Sequence, residues 1–110
     1  MTERPPGGPE VPDGAANFPL IPSELGVHPL LLAVLHAYVF LEGSDGSVVN
    51  ATAAEEAMEY LAGYLQRLAG PELRRVKEDL QTLVGFAKHD KWPKQHVRFL
   101  QEFLTETGVE

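Results

Sequence analysis

The chain has 110 residues, 44% of them hydrophobic, and its 16 acidic and 9 basic side chains leave a net charge of −7. That length and apolar content suit one globular domain with a single modest core, and the acidic balance argues against general affinity for nucleic acid. The absence of cysteine excludes disulfides, thiolate metal sites and cysteine nucleophiles.

The charge is uneven: residues 1–27 carry −3 and residues 28–70 carry −4, whereas residues 71–110 balance seven bases with seven acids. The opening "MTERPPGGPEVPDGAANFPLIP" holds six of the nine prolines and has no period. Residues 1–17 are expected to form a disordered Pro/Gly-rich tail, with a single helical domain over 18–110. The first apolar run, Phe18 to Ile21, is broken by Pro19 and Pro22 and does not make a secretory signal. "FPLIP" is expected to be extended and to dock on its own domain, a partner's groove being the other option.

The first helix opens at Pro29, whose missing N–H is not needed in a first turn, and runs to Gly43, expected as a left-handed stop. It is apolar apart from His36 and the Tyr38 hydroxyl, so it is expected at the centre of the fold, surrounded on all sides. The apolar run Leu30–Leu41 has 12 residues, against about 20 for a membrane span, which makes a soluble, cytoplasmic protein the expectation.

"EGSDGSVVNAT" links the first helix to the second. Set against the calcium-loop pattern with Gly46 at the invariant glycine, Asp45 falls at position five, but Leu41, Gly43 and Thr52 occupy positions that need oxygen ligands. The stretch is therefore a turn, with Gly46 expected at positive φ and Asp45 bonding nearby backbone. The second helix is expected to start at Thr52 with the capping box "TAAE". Its apolar stripe is Ala54, Ala57, Met58, Leu61, Tyr64, Leu65 and Leu68. Glu55, Glu56 and Glu59 sit near its N-terminus, where the helix dipole favours them.

Gly70-Pro71 separates the second helix from a third, striped by Leu73, Val76, Leu80, Leu83, Val84 and Ala87. Arg74, Arg75, Lys77, Glu78 and Asp79 are expected on its solvent face. "KHDKWPKQ" ends it at Pro93. The fourth helix runs from about Pro93 to Thr107, burying Val97, Leu100, Phe103 and Leu104, with Gly108 as its stop. Short connections make neighbours antiparallel. The expected fold is all-α, a small four-helix bundle-like domain.

Reaction motifs are sparse. His28, His36, His89 and His96 show no H-x-x-x-H or H-E-x-x-H spacing, so no histidine metal site is expected. The three glutamates of the second helix lack the Glu-x-x-His pattern of bundle metal centres. Ser23, Ser44 and Ser47 lie in no nucleophile elbow, and no glycine-rich phosphate loop precedes a helix. No cofactor and no metal are expected. His36, alone on an apolar helix, is expected to be a neutral histidine bonded to a carbonyl or to Tyr60 or Tyr64. Its functional alternative is a ligand-binding or enzymatic pocket formed by the same three residues.

The stretch "KHDKWPKQHVR" gathers Lys88, Lys91, Trp92, Lys94 and Arg98. Cations beside an aromatic can anchor an acidic protein surface or a single nucleic acid strand; the bland alternative is that Trp92 caps the core. The functional expectation is a non-catalytic protein acting through protein–protein contacts as adaptor or regulator, by self-association as a homodimer or with a protein partner. Nucleic-acid binding through Lys88–Arg98 ranks below the His36 pocket because the whole chain is acidic.

Overall fold

The computed structural model describes residues 14–109; the expected tail over residues 1–13 lies outside them. After a short 3₁₀ turn at Ser23–Leu25 come four helices: α1 (Pro29–Gly43), α2 (Ala51–Leu65), α3 (Gly70–His89) and α4 (Lys94–Glu106), with no strand among the described residues. The short connections fold these into two hairpins, α1 with α2 and α3 with α4. The core lies between them. Leu31, Leu35 and Tyr38 of α1 meet Leu80, Leu83 and Ala87 of α3 and Leu100 and Phe103 of α4, and Phe18 and Val27 close it from the N-terminal segment. The Tyr38 and Phe103 rings pack edge to face at 5.2 Å.

α2 is the outermost helix: Ala54 is its one fully buried residue, with Met58, Leu61 and Leu65 half-buried against the core. Tyr38 ties it down by donating its hydroxyl to the Met58 carbonyl at 2.9 Å, and burial, with Glu42 nearby, pushes that phenol's pKa up.

Several local expectations are corrected. Residues 14–17 are fastened rather than loose: the Asp45 N–H donates to the Gly14 carbonyl at 2.8 Å, and the Ala16 N–H to Ser44 Oγ at 2.9 Å. The expected docking of "FPLIP" on its own domain is met through Phe18, which packs edge to face on Trp92 at 5.6 Å, while Leu20 is left 87% exposed. Gly43 is the last helical residue, not a left-handed stop. Its lack of a side chain serves close approach instead, because a Cβ there would stand 2.9 Å from that of Ala16. α2 is capped by Asn50, whose side chain accepts from the Ala53 N–H, and not by Thr52. Asn is the better cap, and "ATAA" after it resists no helix, so the helix extends back to the first residue that can start it. Gly46 has no positive φ. The turn is held by Asp45, whose Oδ1 accepts from the Ser47 N–H at 2.9 Å and hydroxyl at 2.6 Å. Those bonds, the hydroxyl's foremost, hold the Asp45 carboxyl below its usual pKa.

Asp79, expected on the solvent face of α3, is buried. It accepts from the His28 N–H at 3.0 Å and from Arg75 Nε at 3.0 Å, and Arg75 Nη2 donates onward to the Gly26 carbonyl at 2.9 Å. The pair therefore clamps the chain before α1 onto α3. α1 itself is not surrounded. Leu31, Leu35 and Tyr38 are buried, yet Leu30, one residue away, is 71% exposed.

Candidate interaction surfaces

Helix geometry decides which residues of α1 face outward. With 3.6 residues per turn, the meridian through Leu31, Leu35 and Tyr38 leaves Leu30, Ala33, Ala37 and Phe40 on the far side. Leu30 and Ala33 are exposed, and Ala37 and Phe40 half-buried. α2 lies along the flank of Val34, since Val34, Leu65 and Leu68 line one apolar groove of about 430 Å³ beside Leu30.

The orientation of α2 follows from two bonds. Tyr38 reaches its inner side at Met58, and Gln66 Nε2 donates to the Thr107 carbonyl at the end of α4 at 2.9 Å. Tyr64 stands about 200° around the helix from Gln66, so the flank bearing Tyr60 and Tyr64 turns away from α4. These tyrosines are 66% and 62% exposed. Leu30, Ala33, Ala37, Phe40, Tyr60 and Tyr64 thus belong to one outer face of the α1–α2 hairpin. It carries no formal charge at its middle. Glu56, one turn before Tyr60, and Arg67 lie at its edge, the Arg67 guanidinium 4.8 Å from the Tyr64 ring centre.

His36 does not join the tyrosines. It is exposed and about 200° from Val34, which puts it on the edge of α1 away from α2. Among the described residues no hydrogen bond joins it to Tyr60, Tyr64 or a carbonyl, so the buried, bonded histidine expected from the sequence is not found. Glu55, Glu56 and Glu59 are exposed along α2.

The second surface lies at the α3–α4 junction. Lys88 from the last turn of α3, Lys94 and Arg98 from the start of α4, and Trp92 between them line a cleft of about 400 Å³ with Val97 and Gln101. Trp92 also caps the core: it is half-buried, and its ring meets Phe18, Phe86 and His96 edge to face within 6.2 Å. Lys91 is left out of the cleft. It occupies the left-handed region at φ 59°. The Lys91 N–H donates to the Lys88 carbonyl and the Trp92 N–H to that of Ala87, the paired bonds of a Schellman cap. That cap aims Trp92 and turns the chain so that Lys88 meets Lys94 and Arg98. Among the described residues the ion pair is Arg75 with Asp79, and the cleft's cations have none. His96, behind Trp92, has a buried Nδ1 with no hydrogen-bond partner among those residues.

The sequence reading missed Asp79, Asn50 and Thr107, which is buried with its hydroxyl donating to the Phe103 and Leu104 carbonyls. The Arg75–Asp79 spacing of four was the available signal for the first, though not for its partners at Gly26 and His28. No helix among the described residues is long and apolar enough to cross a membrane. No family model, no curated protein and no solved structure matches the chain.

Proposed function

We propose that this is a non-catalytic helical protein that acts through protein–protein contacts in the cytoplasm, and that its first contact is with a second copy of itself across the outer face of α1 and α2. The observation that carries the reading is the exposure of Leu30, Tyr60 and Tyr64 on one side of the molecule. Apolar surface of this kind marks interfaces, and a two-fold dimer is the commonest closure. Charge supports the same occupant. Two chains of −7 repel, and a face without formal charge at its middle is where like copies meet at least cost.

Area gives the size class of the contact. Two 15-residue helices side by side offer a face about 22 Å long and about 20 Å wide, on the order of 440 Å² per copy. Standard interfaces bury about 800 Å² per partner, so the dimer is a weak one, with a dissociation constant on the order of micromolar.

Sedimentation equilibrium across that concentration range tests the proposal. The mass is expected to rise from 12.1 kDa toward twice that value, and to persist in high salt because the contact is apolar. Ala33→Arg, an exposed substitution, should hold the protein at monomer mass with its helicity unchanged. Wild-type protein that stays monomeric well above the micromolar range overturns the proposal, as does Ala33→Arg protein that assembles like wild type.

A further inference from the structure

We propose that the cleft formed by Lys88, Trp92, Lys94 and Arg98 binds a short acidic peptide segment of a partner protein, taking its carboxylates on the three cations and an adjacent apolar side chain against Trp92 and Val97. The proposal deepens the reading of the chain as a contact protein, at a surface separate from the self-association face.

Four features point to this occupant. The lining supplies cations from two helices and contains no acid, in a protein whose net charge is −7. Keeping like charges together costs energy unless an anion comes between them. The cations form no ion pair with the described residues, so their charge is available, and the guanidinium of Arg98 can engage a carboxylate through two bonds. Trp92 and Val97 give the cleft an apolar floor next to the charge, the combination found where aromatic and arginine side chains anchor an interface. Finally, α4 begins at Lys94 with no side-chain cap, so its first N–H groups and the positive end of its dipole reinforce attraction for a carboxylate.

The same features disfavour a nucleic acid strand. Sequence-independent strand binding needs a basic groove that tracks several phosphates and an aromatic face open for stacking. Here the groove is one short cleft with three cations, and the indole already has Phe18, Phe86 and His96 around it.

Trp92 is the sole tryptophan, so its emission reports directly on the cleft. The test titrates the full chain with an end-blocked Glu-Glu-Leu-Glu-Glu peptide, its Gln-Gln-Leu-Gln-Gln counterpart and an oligothymidylate of similar length, by fluorescence and by titration calorimetry. The acidic peptide is expected to saturate with a dissociation constant on the order of 100 µM at low salt and to weaken several-fold when salt is raised to about 0.3 M. The neutral peptide should give no saturable response. Lys94→Gln with Arg98→Gln, both exposed positions, should cost about ten-fold in affinity with unchanged circular dichroism, while Arg74→Gln at the far end of α3 leaves it unaltered. No saturation by either method, equal binding of the neutral peptide, or full affinity in the double variant overturns the proposal. Tighter binding of the oligothymidylate overturns it in favour of nucleic acid. Because the readout is peptide binding, a protein that proves monomeric can still pass, and a dimer can still fail.

Discussion

Single residues fix the ends of these helices, and two ends make an instructive pair. α4 closes with a Schellman cap in which the Gly108 N–H donates to the Thr105 carbonyl and the Val109 N–H to that of Leu104, with Gly108 at φ 78°. α3 closes with the same two bonds around Lys91 at φ 59°. Glycine adopts that conformation freely, whereas a residue with a Cβ is strained there by about 1–2 kcal/mol. The stop at Gly108 was therefore legible in the sequence, and the one at Lys91 was not. Lys91→Gly should relieve that strain, less about 0.4–1 kcal/mol for the added freedom of the unfolded chain. The expected net gain is about 0.5–1 kcal/mol, a rise of a few degrees in Tm at about 4–8 °C per kcal/mol. Thermal unfolding followed by circular dichroism checks it; an unchanged or lowered Tm would mean that the side chain of Lys91 makes a compensating contact. Asp79 shows the opposite limit of a residue-by-residue reading. Its helical position marks it as a surface acid, and only the return of Gly26 and His28 to α3 makes it a buried clamp.

At the level of elements, periodicity carried most of the fold. The stripes of α2, α3 and α4 and the breaks at Gly70-Pro71 and before Pro93 set the four helices to within a few residues, because apolar side chains recurring every three and four residues over three or more turns line one face of a helix and would scatter over both faces of a strand. α1 was the exception. Apolar on every side, it has no stripe, so its sequence cannot say which meridian is buried, and the expectation that it is surrounded failed for that reason. The segment before it was legible in kind but not in extent: an extended apolar piece was expected from residue 18, while the fastening begins at Gly14. Phe18 is the anchor of that segment, buried between Trp92 and Phe99. Phe18→Ala should cost about 3 kcal/mol, the lower end of values for placing an alanine where a buried phenylalanine fitted. Chemical denaturation of this variant, with an unchanged slope, checks the value. A loss below about 1 kcal/mol would show that the segment contributes little to the core.

Across the whole molecule, the interaction surfaces were legible only as ingredients. The cations and tryptophan of Lys88–Arg98 are contiguous in sequence, so four of the five could be named together; the exclusion of Lys91 depends on the left-handed cap. Residue type alone groups Tyr60, Tyr64 and His36 as a pocket. The rotation of α2, fixed by Tyr38 and Gln66, instead turns the tyrosines outward and leaves the histidine on the opposite edge of α1. What emerges is a face with no formal charge at its middle on an acidic molecule, and the proposal that two copies meet there is open to a direct check because the chain contains no cysteine. One cysteine placed at Ala33, in the middle of that face, can be compared with one at Gln81, exposed on the α3–α4 side. Each protein is treated with a short bis-maleimide at a concentration near the expected dissociation constant, on the order of micromolar, and the covalent dimer is measured by mass. The Ala33→Cys protein should be linked in most chains while the Gln81→Cys protein stays largely monomeric. Equal linking of the two, or preferential linking through position 81, would contradict self-association through the outer face of α1 and α2.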